Sequence, residues 1–366
     1  MIAIHQEDRM TLRSSRSALA LAVAAVFTAA ALPATAQQNI NLTLASSHPT
    51  TWLPIGLMAG FFKNDIDRQL KEDGKYKITW KEAYAGTLFK LQDTMEAIRD
   101  NIADIGYVGS VFEADTMPLS NVTFFTPFTS GDMGIVTRTL DKLQRELPAL
   151  QKEWNGNNIK YLAPISIETY HVWTKTPVAK FDDLKGRRYN APGPAAQWLR
   201  GTGAVAVDGG LPTYYTNVQT GVTEGAISFY TGILPIRLYE IATHVAEVNL
   251  GAMFSGGIAV TADKFNKMPK EVQTAIVNAG VAYTAELIKQ TNANIDSSKK
   301  TMVAAGTKVA VFSEGDRARW AKSLPDIAGD WARTNDAKGL PASTVLKAYM
   351  DEIRKAGGKP LRDWDK

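Results

Sequence analysis

From residue 39 onward the chain alternates between stretches with the two-residue period of strands and stretches with the period of amphipathic helices. That order constrains the fold more than any other feature. Residues 39–46 put Ile40, Leu42 and Leu44 on one side, as a half-buried strand does. Residues 53–70 read as helix, 75–83 as strand, 88–101 as helix through Leu91, Met95 and Ile98, and 103–108 as strand. A β-α-β-α-β order carries the chain back over the sheet between strands, so it predicts a parallel sheet with helices on both faces.

After a helix over 135–152 the pattern starts afresh. Strands are expected at 160–164, 171–174, 188–191, 204–207 and 227–230, with a turn at 181–186 and a helix at 195–202 entered through Pro194. Pro212 and Thr213 open another helix, since proline suits a first turn. The apolar run 254–261 is expected to cross back to the first sheet. One long helix follows from Lys270 to about residue 304, because Val272, Ile276, Val281, Ala285 and Ile288 keep helical spacing with no proline between them.

The N-terminal segment reads as a secretory leader. Arg13 and Arg16 precede a stretch of small apolar residues over 18–32, and Ala34-Thr35-Ala36 supplies a small-x-small cleavage pattern before Gln37. The apolar run is shorter than the roughly 18–20 residues of a membrane span. Met1 and Met10 both stand as possible starts. The chain after the leader is expected to be soluble and periplasmic. Its about 330 residues exceed what one core holds, which favours two lobes. The fold class expected is α/β and periplasmic-binding-protein-like, two α/β lobes around a ligand cleft. Residues 37–167 plus 256–295 are assigned to lobe I, 168–255 plus 296–340 to lobe II, and 341–366 to a C-terminal helix and tail. Ligands of such sheets bind beyond the carboxyl ends of the strands.

Composition removes several functions. Cysteine is absent, which excludes thiolate catalysis, cysteine-ligated zinc and disulfides. The formal charge is +4 with the basic residues scattered, so no concentrated basic face exists for nucleic acid. The histidines beyond the leader are His48, His171 and His244, none at metal-ligand spacing, and no G-x-S-x-G, H-E-x-x-H or phosphate-loop pattern occurs. Ser46-Ser47-His48 is a polar cluster at a strand end, read as a loop cap rather than a triad. The chain is therefore read as a non-enzyme with no cofactor and no metal.

Over residues 184–240 the wording becomes specific. Asp183-Leu184-Lys185-Gly186, then Pro192, then Val218-Gln219-Thr220-Gly221-Val222-Thr223-Glu224-Gly225, then Leu238-Tyr239-Glu240-Ile241 stand in register. The sequence strongly resembles the DctP-like solute-binding subunits of TRAP (tripartite ATP-independent periplasmic) transporters. Weaker echoes are Ala85-Gly86-Thr87-Leu88, residues 95–108, residues 125–128 and Met268-Pro269. The resemblance implies a cleft that closes on a small organic molecule, an organic acid in most relatives. It also implies a long helix spanning both lobes, and small and large integral membrane subunits as partners, driven by an ion gradient. The chain itself is expected to be a monomer.

The glycines of these motifs, Gly186, Gly221 and Gly225, are read as turn and helix-end residues, because glycine reaches positive φ. Two departures bear on the ligand. Most relatives carry an arginine two residues before the strand-ending proline, and it clamps a ligand carboxylate; the residue there is Asn190. A planar guanidinium matches a carboxylate with two charge-assisted hydrogen bonds, which an amide does not reproduce. Arg188 lies two residues earlier on the same strand face and is a candidate for the cleft edge. Where some relatives have a second arginine, this chain has Tyr170 or His171, and Ser228 replaces the asparagine that often follows the D-G motif.

The candidate ligand-binding set is Asn190, Tyr170, Phe229, Tyr230, Ser228, Trp52, His171 and Arg188. Tyr84, Phe89, Phe125 and Trp173 are further aromatics at or near expected cleft loops. An aromatic wall with few polar groups favours an aromatic or otherwise bulky, partly apolar ligand. Two other functions stay open at this point: a sensory binding protein presenting its ligand to a membrane receptor, and a periplasmic enzyme.

Overall fold

A computed structural model describes residues 37–366, so the expected leader lies outside the described residues. Along the chain the strands are β1 (Gln38–Ala45), β2 (Tyr76–Ala83), β3 (Ile105–Val108), β4 (Ile159–Ile167), β5 (His171–Thr174), β6 (Arg188–Ala191), β7 (Val205–Asp208), β8 (Gly225–Ser228), β9 (His244–Glu247), β10 (Met253–Thr261) and β11 (Lys308–Val311). The helices are α1 (Leu53–Leu57), α2 (Lys63–Asp73), α3 (Thr94–Arg99), α4 (Met133–Glu146), α5 (Pro148–Gly156), α6 (Leu211–Gln219), α7 (Tyr230–Ile233), α8 (Ala262–Lys267), α9 (Lys270–Ala304), α10 (Glu314–Ser323), α11 (Ile327–Asp336) and α12 (Ala342–Lys355).

The strands form two sheets, one in the order β2-β1-β3-β10-β4 and one in the order β11-β9-β5-β8-β6-β7. This is the two-lobed α/β architecture expected. The parallel pairing expected from the β-α-β order holds for β1 with β2 and with β3. It does not hold throughout: β10 runs antiparallel between β3 and β4, and β5 runs antiparallel to β8 and β9. The reason is connectivity. Both strands enter their sheets directly from the other sheet, with no crossover helix to reverse them.

Two short segments make these crossings, residues 168–170 between β4 and β5 and residues 248–252 between β9 and β10. They pair with each other: Tyr170 N–H donates to the Gly251 carbonyl at 3.2 Å, and Leu250 N–H to the Tyr170 carbonyl at 3.0 Å. The third connection is α9, 35 residues long, which packs on α2, α4 and β4 at one end and on α7 at the other.

Four helices differ from expectation in length or type, and proline explains one of them. The helix expected over 135–152 is two helices, because Leu147 before Pro148 is extended (φ −85°, ψ 115°). The helix expected over 53–70 contains a π-helical turn at Met58–Phe62. That expected over 88–101 shrinks to α3 after a 3-10 turn, and that over 195–202 is a 3-10 turn, Gly193–Leu199.

Tryptophan indoles tie α10 and the C-terminal tail to the loop and 3-10 segments before α4 and before β7. Trp320 Nε1 of α10 donates to the Trp198 carbonyl at 2.8 Å, Trp198 Nε1 to the Phe124 carbonyl at 2.6 Å, and Trp364 Nε1 to the Pro127 carbonyl at 2.8 Å. Trp198 also stacks flat on Phe124, with ring centroids 5.7 Å apart. Among the described residues no helix is long and apolar enough to cross a membrane.

The seating of α9 rests on one close approach. Gly280 faces β4 so closely that a side-chain carbon there would collide with the Leu162 carbonyl. Backbone cannot give way as a flexible side chain does. Gly280→Ala is therefore expected to lower unfolding free energy by about 2 kcal/mol or more, despite alanine's better helix propensity. Urea denaturation followed by circular dichroism measures it.

Candidate ligand site between the lobes

The carboxyl ends of β1, β3, β6, β7 and β8 converge on one cavity, and the antiparallel β5 and β10 present their amino ends to it. Its lining includes His48 and Trp52 after β1, Tyr107 and Phe112 at and after β3, and Ser255 of β10, all from the first lobe. Tyr170 comes from the crossing segment, and Pro192, Tyr214, Ser228 and Phe229 from the second lobe. The cavity is narrow, with a volume of about 40 Å³.

The walls are aromatic and interlocked. Trp52 and Tyr107 meet edge-on at 5.6 Å, His48 leans on Trp52 at 4.8 Å and on Tyr107 at 5.4 Å, and Tyr170 meets Phe229 edge-on at 5.1 Å. Trp198 backs Tyr170 from outside at 5.2 Å. Such edge contacts fix the orientation of the rings that border the cavity.

The polar groups are few and neutral. No Arg, Lys, Asp or Glu is among the lining residues described. Ser228 borders the cavity, but as the strand partner of His171 it shares that residue's face of the sheet; its hydroxyl is buried and has no partner among the described residues. The Tyr107 hydroxyl lies 2.8 Å from Ser255 Oγ. Burial pushes the phenols of Tyr107, Tyr170 and Tyr214 up, so each keeps its proton and can donate it. His48 is fixed by its own loop: its N–H donates to Ser46 Oγ at 3.0 Å, and its Nδ1 lies 3.2 Å from Ser47 Oγ. Its surface is only partly covered because it borders the cavity, yet desolvation lowers its pKa to about 4. The imidazole is neutral at pH 7.

Of the eight residues singled out from sequence, Trp52, Tyr170, Ser228 and Phe229 come together here. His171 and Tyr230 do not. Successive residues of an extended chain face opposite sides, so His171 points away from Tyr170. It meets Tyr230 at 5.4 Å in a neighbouring hollow shared with Glu168 and Asp132. Tyr230 donates to Glu247 Oε1 at 2.8 Å.

Asn190 and Arg188 are also elsewhere. They share one face of β6, and that face is covered by α6 and the turn after it. Asn190 Nδ2 donates to Thr223 Oγ1 at 2.7 Å and to the Gly225 carbonyl at 3.1 Å, while its Oδ1 accepts from Asn217 of α6 at 2.8 Å. Its hydrogen-bonding capacity is thus used within the second lobe. Arg188 is exposed and donates to the Gly221 carbonyl at 2.8 Å.

The further aromatics are absent from the lining as well. Trp173 is buried in the second lobe's own core, Phe89 is buried in the main core, Phe125 stacks on Trp331 at 5.5 Å, and Tyr84 donates to Glu82.

His48, Tyr107, Phe112, Tyr214 and Ser255 were not selected from sequence. A signal for three of them existed. His48 and Phe112 follow strands whose carboxyl ends face the crevice, and Tyr107 is the penultimate residue of one, which is where ligands of such sheets sit.

Two lobes whose strand ends converge on one aromatic cavity, joined by paired crossing segments, define a two-lobed binding protein. Comparison with known proteins narrows the class. The chain belongs to the bacterial extracellular solute-binding proteins, family 7, whose model matches residues 54–333. A solute-binding protein of Sulfitobacter sp. (strain NAS-14.1) is 27% identical over 180 residues, 48% of this chain and 52% of that protein, so the match spans about half of the relative's length.

Among solved structures, a TRAP solute-binding protein from a marine metagenome, an unidentified microbe, is specific for aromatic acid ligands and was crystallised with 3-hydroxybenzoate. It superposes with a TM-score of 0.77 at 18% identity, covering 87% of this chain and 99% of that one. A TRAP solute-binding protein from Rhodoferax ferrireducens T118, with copurified benzoate, has a TM-score of 0.76 at 16% identity, covering 87% and 98%. One from Desulfovibrio salexigens DSM2638, an open complex, has 0.72 at 22%, covering 87% and 97%. At these identities the likeness is one of fold.

The position of Asn190 gives an expected outcome. Asn190→Ala leaves Asn217, Thr223 and the Gly225 carbonyl short of a buried partner. It should lower unfolding free energy by about 2–4 kcal/mol in urea denaturation, while any ligand of the cavity keeps its affinity within about threefold.

Proposed function

We propose that this protein captures a small planar aromatic acid in the cavity between its lobes and hands it, unaltered, to the membrane subunits of a TRAP transporter. One observation carries the ligand assignment. The wall is built from Trp52, Tyr107, Phe112, Tyr170, Tyr214 and Phe229, with neutral hydroxyls between the rings. Flat aromatic surfaces select a flat apolar body, and a few fixed donors orient its polar end. Aromatic acids bound by proteins of the same fold support the reading. Within the sequence-derived set, Trp52, Tyr170, Phe229 and Ser228 are the ligand contacts we propose.

Binding works by closure of one lobe, residues 37–167 plus 253–295, on the other, residues 171–247 plus 296–340; the boundary expected between residues 255 and 256 falls inside β10 and moves to the crossing segment before it. The crossing segments at 168–170 and 248–252 act as the hinge. A ligand touching both lobes favours the closed form by its differential affinity for it. The leader sends the chain to the periplasm, where it works as a monomer without catalysis.

A thermal-shift and calorimetry panel of benzoate, 3-hydroxybenzoate, galacturonate and pyroglutamate tests the ligand class. At a hundredfold excess over Kd a true ligand stabilises the fold by about 2.7 kcal/mol. The aromatic acids should do so and the aliphatic ones should not; the reverse order sinks the proposal. Phe229→Ala should weaken benzoate binding about tenfold or more, since it deletes one wall of the slot.

A further inference from the structure

A cavity without cationic side chains poses a difficulty for an anionic guest. Moving a carboxylate from water into a place that offers only neutral donors costs several kcal/mol unless a counter-charge appears. Of the residues lining this cavity, His48 is the one whose side chain becomes positively charged by taking up a proton.

Its surroundings hold the ring in place and add no charge. From its own loop it faces Ser46, Ser47 and Trp52; from β3 and the turn after it, Tyr107 and Phe112. Tyr107 is the one titratable group among these, and burial keeps its phenol protonated. Nδ1 is engaged by Ser47, whereas Nε2 has no hydrogen-bond partner among the described residues. The loop therefore fixes one ring nitrogen and leaves the other for the cavity.

Resting on the reading of the cavity as an aromatic-acid site, we propose that His48 takes up one proton when a carboxylate enters, so that an imidazolium stands in for the arginine clamp of the relatives. The proton comes from solvent and returns to it on release; no bond of the ligand is made or broken. In the free protein burial alone holds His48 at about 4, and a carboxylate beside it supplies the opposite charge that raises it. The sign follows. Between about pH 4 and the higher value in the complex, the complex binds one more proton than its separated parts, so affinity for a carboxylate rises as pH falls. An uncharged aromatic of the same shape shows no such dependence.

The test is isothermal titration of the full-length protein with benzoate and with benzamide at pH 5 to 8, in paired buffers of different ionisation enthalpy. Benzoate should bring in close to one proton per molecule, with affinity rising up to tenfold per unit of lowered pH over part of that range. Benzamide, if it binds, should bring in none. His48→Gln, its folding checked by circular dichroism and melting, should weaken benzoate at least tenfold at pH 6 and lose the proton uptake.

Benzoate binding with no proton uptake overturns the inference. So does uptake that persists in His48→Gln, which would place the proton on the ligand. Binding of benzamide but of neither benzoate nor 3-hydroxybenzoate overturns it too and makes the cavity a site for uncharged aromatics. Failure of all three compounds rejects the aromatic reading itself, and the inference with it.

Discussion

The structure hangs on the place where the chain crosses between its sheets twice and pairs with itself. Tyr170 gives and receives a backbone hydrogen bond at this point, with Gly251 and Leu250 as partners. The same residue offers its ring to the cavity and leans on Trp198 behind. The second of the two crossing segments turns through Asn249 at φ 50° and Gly251 at φ 121°, which brings its backbone alongside the first.

Rigidity elsewhere follows from the same demand. An aromatic slot selects by shape only if its walls cannot relax onto whatever enters. Here edge-on contacts link Trp52 to Tyr107 and Tyr170 to Phe229, and Trp198, stacked on Phe124, closes the rear. The indole hydrogen bond of Trp198 to Phe124 fixes that rear wall, and the bond from Trp320 to the Trp198 carbonyl ties it to α10. These helices sit outside the cavity yet brace it, which gives the chain beyond α9 a reason within the binding architecture. Neutral hydroxyls and a neutral imidazole complete the lining.

Much of the fold was legible. The strands at 171–174 and 188–191 and the span of α9 agree with their sequence readings, because each is marked by residues that act locally: a turn before it, a proline beyond it, or an unbroken helical period. Strands β9 and β11 were not identified, being four residues each and without a strong period of their own. The site was half legible. Trp52, Tyr170, Ser228 and Phe229, named from the sequence as large aromatics and a small polar residue at strand ends, border the cavity proposed as the site. Asn190 was misplaced because its strand has two faces. Which face meets α6 and which meets the crevice is decided by a helix more than twenty residues further on.

By itself, then, the sequence determined the two α/β lobes, the connecting long helix, the family and the absence of a guanidinium at the expected clamp. Those follow from period, punctuation and wording, all of which are local. Only the tertiary structure decided which side chains share a cavity. Strand alternation assigns His171 and Tyr230 to one side and Tyr170 to the other only once the sheet has been packed and its faces covered. His48 enters the site for the same reason. Its loop reads along the chain as a cap and becomes a wall when β1 and β3 align and bring Trp52 and Tyr107 against it.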